Sequence, residues 1–239
     1  MSEKLDSEPS IELDPRYIVD TAEVLYARIE ERFPNSGLGG VARELHETCL
    51  TTSDRIQELQ KPFWPLRLVS LSLMLSGLAL LGFALFGGVD WSQIGTKASF
   101  SSFISVLEPS LGSVVFITAF YVFVATLESR WKQKQILMSL NELRSLAHKI
   151  DMHQLTKDPK RLQVGGPDTP SSPTRTLNAF ELGRYLEYCS ELVSVATKVS
   201  ALYAQAFPEP VVLNAVDQVE LLGAGLSRKI WQKLILLNN

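Results

Sequence analysis

Two long runs without a charged residue constrain this chain most. Leu68–Val89 reads LVSLSLMLSGLALLGFALFGGV, 22 uncharged residues. Pro109–Leu127 reads PSLGSVVFITAFYVFVATL, 19 uncharged residues with sharp edges at Glu108 and Glu128. At about 1.5 Å per residue the first run forms a helix roughly 33 Å long, enough to cross a bilayer core. The competing reading is a pair of buried helices in a large soluble core. Two runs this long are hard to hide in 239 residues. Neither run reads as a signal peptide, because an acidic, polar start (MSEKLDSEPS) precedes the first and supplies no basic region.

The expectation is therefore an all-α protein with an uncleaved two-helix transmembrane hairpin, spans 68–89 and 109–127, joined by an external loop 90–108. Lys and Arg near the span ends set orientation. Arg55, Lys61 and Arg67 precede the first span, and Arg130, Lys132 and Lys134 follow the second. The loop holds only Lys97. Arg67, Arg130, Lys132 and Lys134 thus predict both termini on the cytoplasmic side of an inner membrane. Trp64, Trp91 and Trp131 flank the spans, where indole suits the interface. Cys49 and Cys189 then fall on the reducing side, and no disulfide is expected.

Segregation also explains the composition. The chain is 21% charged yet has a mean hydropathy of +0.09. Its net charge of -3 excludes a strongly basic nucleic-acid binder.

Outside the spans the pattern is helical. Residues 1–63 read as an N-terminal helical hairpin. Asp14-Pro15 starts a helix whose stripe is Ile18, Ala22, Leu25 and Ile29, and the Phe33–Gly37 breaker cluster stops it. Val41, Leu45, Thr48, Thr52, Ile56 and Leu59 line the next helix. Residues 64–127 hold the membrane hairpin. Residues 128–162 continue span two as a cytoplasmic extension, since no Gly or Pro interrupts Leu127 to Asp151, with a turn near Lys157-Asp158-Pro159. Residues 163–176 (from VGGPDTPSSPT) read as a flexible linker.

Residues 177–239 read as a C-terminal helical hairpin. Leu182, Tyr185, Cys189, Leu192, Ala196, Val199, Tyr203 and Ala206 keep strict three-four spacing, a seam for partner helices in a bundle or coiled coil. Residues 1–63 carry 7 basic and 13 acidic side chains, and residues 128–239 carry 14 and 11. The opposite net signs favour docking of the two parts.

Chemistry-bearing motifs are sparse. His148, Asp151 and His153 are the metal candidates, but their spacing does not put both imidazoles on one helix face. No GxSxG occurs, and Gly37–Gly40 lacks the strand and Lys-Ser/Thr of a phosphate loop. No catalytic residue and no cofactor are expected. The spans carry no acid, base or histidine, which argues against an ion-coupled carrier. They do carry small faces: Ser72, Ser76 and Ala79 in the first, Gly112, Ala119 and Thr126 in the second. Such faces let membrane helices approach closely, closing the hairpin or building an oligomer. The C-terminal LSRKIWQKLILL either packs into the bundle or lies on anionic lipid.

The segments ARIEERFPNSGL, FWPLRL, NELRSLAHKIDMHQLTKDP, ELGRYLEYCSELVS and LSRKIWQK resemble those of a family of uncharacterised bacterial two-span inner-membrane proteins, over most of the chain. The resemblance implies an inner-membrane location and no catalytic residues. In span number and cytoplasmic mass the chain also resembles two-span effector domains of bacterial defence systems, a likeness of architecture only. The leading functional expectation is a membrane-anchored cytoplasmic helical scaffold or binding module, embedded in the lipid bilayer and self-associating or binding a protein partner through its cytoplasmic helices. An oligomeric pore is the second reading. A metal-dependent sensor or enzyme is the third.

Overall fold

The structure is a computed structural model, and it describes residues 12–87, 100–160, 169–172 and 176–238. The described residues are all-helical, with no strand among them. The helices are α1 (Pro15–Arg32), α2 (Gly37–Gln60), α3 (Trp64–Gly87), α4 (Phe100–Leu155), α5 (Ala179–Ala206) and α6 (Pro210–Asn238). They form two compact units. The first takes the described residues of Met1–Gln60 and Gln135–Asn239, and the second is drawn from Lys61–Lys134. Most of the expected linker 163–176 and residues 90–99 of the expected loop lie outside the described residues.

Local signals account for the helix ends. The Asp14 carboxylate accepts the Arg16 N–H at 2.9 Å, and Pro15 opens α1 where no N–H is needed. Asn35 takes a positive φ of 54° in the α1–α2 turn, and Ser36 Oγ accepts the Gly39 N–H at 3.0 Å. Asn178 and Glu181 form a reciprocal capping box on α5, each accepting the other's backbone N–H at 2.9 Å.

Part of the segment expected as the loop 90–108 is helical. Residues from Phe100 to Glu108 are helical and begin α4. Phe100, Phe103, Ile104 and Leu107 recur at helical spacing, a signal masked by the polar residues between them.

In the first unit α5 is the central helix. It packs against α1, α2 and α6, while α1 and α2 pack on each other. Ile18, Ala22, Leu25 and Ile29 are all buried, as their spacing predicts, and so are Leu143 and Ile150 of α4. The α5 seam from Leu182 to Tyr203 is buried within its own chain, together with Leu186, Tyr188 and Val195 beside it. A three-four seam expected to serve self-association is thus consumed internally. Three helices close around α5, so more than one of its faces is apolar.

Docking of the N-terminal and C-terminal parts is observed, but not by the expected electrostatics. Three ion pairs join the N-terminal helices to α4 and α5 among the described residues. Arg28 meets Glu191 at 3.7 Å, Arg55 meets Glu142 at 2.9 Å, and Glu44 meets Lys149 at 2.6 Å. Two of these three run against the net signs. All are about half exposed, where such pairs contribute little. Apolar burial drives the docking: Phe33 sits edge-on to Tyr185 at 5.4 Å and to Tyr188 at 6.3 Å.

Two glycines are required by close approach. A Cβ on Gly37 would run into the His153 ring, and one on Gly223 into Thr197 where α6 crosses α5. Gly225 faces open space.

Candidate functional site

The second unit presents an apolar surface. Leu68, Leu71, Leu75 and Leu78 on α3 are exposed, and Phe116 on α4 reaches 79%. Large uncovered apolar faces mark a contact with lipid or another apolar body. Within α4, Val114–Leu155 contains a segment long and apolar enough to cross a membrane; within α3, Arg67–Ala79 is a shorter apolar stretch.

The small-residue faces lie on this open surface. Ser72, Ser76, Ala79, Gly112 and Ala119 are exposed, and Thr126 is half-buried. The Ser72, Ser76 and Thr126 hydroxyls return to carbonyls of their own helices at 2.8–2.9 Å. A Cβ on Gly112 would meet nothing within 4 Å. Apart from the half-buried Thr126, these residues are not what joins α3 to α4 in the described chain.

A charged clasp does so. Glu128, at the end of the second apolar run, accepts the Phe63 backbone N–H at 3.1 Å and Arg67 Nε at 3.2 Å. Lys132 Nζ reaches the oxygen that accepts the Phe63 N–H, at 3.0 Å, and also donates to the Lys61 carbonyl at 2.8 Å. The Phe63 and Trp131 rings lie 5.7 Å apart alongside. Two of the four expected topology residues, Arg67 and Lys132, are thus paired through one carboxylate, while Arg130 and Lys134 are exposed. Sequence reasoning treated Glu128 only as a span boundary. The available signal was its i,i+4 relation to Lys132.

The Glu128 and Lys132 side chains are only 15% and 18% exposed. Removing the carboxylate strands two cations near apolar surface. Glu128→Ala is expected to destabilise the purified protein by about 1–2 kcal/mol. Thermal unfolding in detergent checks this, with Lys132→Ala and the double variant completing the cycle that isolates their coupling.

The metal candidates do not converge. His148 is exposed on α4. Asp151 accepts Gln154 Nε2 at 2.6 Å, and the His153 ring packs on Gly37. Among the described residues no three His, Cys, Asp or Glu side chains are placed to share a metal ion. The segment instead ends α4 structurally. Lys233 of α6 donates to the Gln154 carbonyl at 2.5 Å, beside the Lys157 N–H that reaches the same oxygen at 3.1 Å, supplying a cation to the C-terminal end of α4. Burial lowers the Lys233 ammonium, against the opposing pull of Asp158 and Asp151.

Burial, then nearby Lys157, lowers His153 below the usual imidazole range. An imidazole harder to protonate when folded binds fewer protons than in the unfolded chain as pH falls below about 6.5. The stability it confers is complete above that pH and declines as pH falls toward the lower folded value. His153→Gln is expected to flatten this part of the stability–pH profile, measured by denaturant unfolding between pH 7.5 and 5.

One further cluster carries charge. Tyr188 is buried, with Arg184 4.9 Å and Arg28 5.7 Å from its ring centre. Burial works to raise its phenol, but Arg184 and Arg32 at the hydroxyl hold it below the usual tyrosine range. A cleft of about 580 Å³ opens there between α1 and the start of α5. Arg184 pairs with Glu187 and Arg28 with Glu191, so two of the three guanidiniums are already neutralised. Burial pushes both the Cys49 and Cys189 thiols up to about 12. Neither is a nucleophile at neutral pH. Among these described groups no nucleophile–base pair occurs. No family model, no curated protein and no solved structure matches this chain.

Proposed function

We propose that the chain is an integral protein of a bacterial inner membrane, in which α3 and the first part of α4 form a two-span hairpin with both termini in the cytoplasm. The first unit is then a cytoplasmic helical scaffold or binding module that self-associates. One observation carries the reading. Apolar side chains on α3 and α4 are open, with Phe116 at 79%, whereas Ile29 and Leu143 in the first unit are fully buried. A folding chain leaves such a band uncovered where hydrocarbon covers it. The Glu128 clasp supports the same reading, since it ties the start of one apolar helix to the end of the other.

Carbonate extraction combined with reporter fusions tests it. The protein is expected in the membrane pellet, with reporters at Lys97 and at the C-terminus reading opposite sides. Release into the supernatant, or the same side for both, overturns it.

A pore is the second reading, favoured by the exposed Ser72, Ser76, Ala79, Gly112 and Ala119. It requires ion flux through liposomes above that of empty vesicles.

A further inference from the structure

Self-association needs a surface other than the α5 seam, and the outer face of α6 supplies one. Asp217, Leu221, Ala224, Arg228, Trp231 and Ile235 recur at four-three-four-three-four spacing, and all six are exposed. Leu221 is 73% and Trp231 64% exposed. The opposite face, with Val212, Val216, Leu226 and Ile230, is buried in the core. α6 therefore carries two apolar stripes, one of which the fold leaves uncovered. Among the described residues neither Asp217 nor Arg228 has an ionic partner.

We propose that this stripe pairs with the same stripe of a second copy, antiparallel about a two-fold axis between Leu222 and Gly223. The charges choose the partner and the direction. Asp217 and Arg228 lie equally far from that midpoint, so the axis sets each Asp217 opposite Arg228 of the other copy. It also sets each Leu221 opposite the small Ala224 of the other copy, large against small. Parallel pairing would oppose Asp217 to Asp217 and Arg228 to Arg228, and like charges face to face suppress a pairing. The inference rests on the self-association in the proposed function and names its surface; it does not depend on α3 and α4 crossing a bilayer.

Cysteine cross-linking of the full chain in detergent tests the register. Cys49 and Cys189 are 3% and 0% exposed, so both contribute little background. In the proposed pair, position 217 of one copy lies beside position 228 of the other, but roughly 16 Å of helix separates 217 from 217 and 228 from 228. Disulfides require Cα atoms within about 7 Å. The double variant Asp217→Cys/Arg228→Cys is expected to cross-link to dimer under mild oxidation, and each single variant is not. The same 16 Å prevents a bridge within one helix.

Charge exchange gives an independent reading. Asp217→Arg and Arg228→Asp alone are each expected to weaken dimerisation by at least about tenfold, because symmetry breaks the pair twice. The double exchange restores it, with unchanged helicity in all three. A dimer by mass that cross-links only through the single variants overturns the antiparallel register. A dimer that cross-links through none of these variants overturns the surface and leaves self-association standing. A monomer by mass overturns both. An uncross-linked stripe that instead raises binding to phosphatidylglycerol vesicles assigns the face to lipid and also overturns the pairing.

Discussion

Leu78→Arg is expected to remove most of the protein from the membrane fraction. Leu78 is 60% exposed on α3 and lies near the middle of the first apolar run. A cationic side chain at the centre of a membrane helix costs about 2.5–3.5 kcal/mol on insertion scales, a factor of roughly one hundred. At a water-facing position the same exchange is close to neutral and improves solubility. The direction of the change therefore reports what covers α3. The carbonate-resistant fraction of Leu78→Arg against wild type measures it, with Leu78→Phe as the size control. Equal membrane retention of the arginine and phenylalanine variants would sink the membrane reading of this helix.

The second large effect belongs to the core of the first unit. Leu192 is 1% exposed on α5, the helix that α1, α2 and α6 all contact. Leu192→Ala deletes three heavy atoms where neighbours on several sides cannot all collapse inward. The expected loss is about 2–5 kcal/mol. It is read as a lower denaturant midpoint for the full chain in detergent. Leu221→Ala is the contrast. It removes the same atoms from a residue 73% exposed on α6, so stability should change by no more than about 0.5 kcal/mol. Its effect should fall on dimerisation instead. If both variants unfold alike, the buried α5 position and the exposed α6 face have been wrongly distinguished.

The two apolar faces differ in how legible they were. Ile18, Ala22, Leu25 and Ile29 lie on one stripe of one amphipathic helix, and spacing alone picked the buried side. On α6, Val212, Val216, Val219, Leu226 and Ile230 share the buried side. The outer α6 stripe was less clear. Asp217 and Arg228 interrupt it, so a count of apolar residues passes over it. It stands out only once the inner face is known to be covered.

The candidate site shows the same division. His148, Asp151 and His153 are near one another in sequence, which made them candidates. A helix advances about 100° per residue, so the five-residue step between the histidines turns their rings apart. His153 then packs on Gly37, a residue more than one hundred positions away. The glycine's role was invisible until that approach was seen. Glu128 was legible as a boundary but not as a hub, because Phe63 and Arg67 come to it from another helix. A Cβ on Gly223 would meet Thr197, while one on Gly225 would meet open space.

Local interactions within a few residues were thus determined by the sequence itself. The Asp14-Pro15 cap, the Asn178–Glu181 capping box, the uninterrupted run of α4 into the first unit and the segregation of 41 uncharged residues into two blocks all depend on near neighbours along the chain. Tertiary structure alone decided which of several apolar faces would be covered. The α5 seam had the spacing of an intermolecular coiled coil, but α1, α2 and α6 reach it first. Spacing states that a face is apolar and says nothing of what fills it. Burial is a competition among all faces of one chain, and only the folded arrangement shows which are satisfied and which remain open.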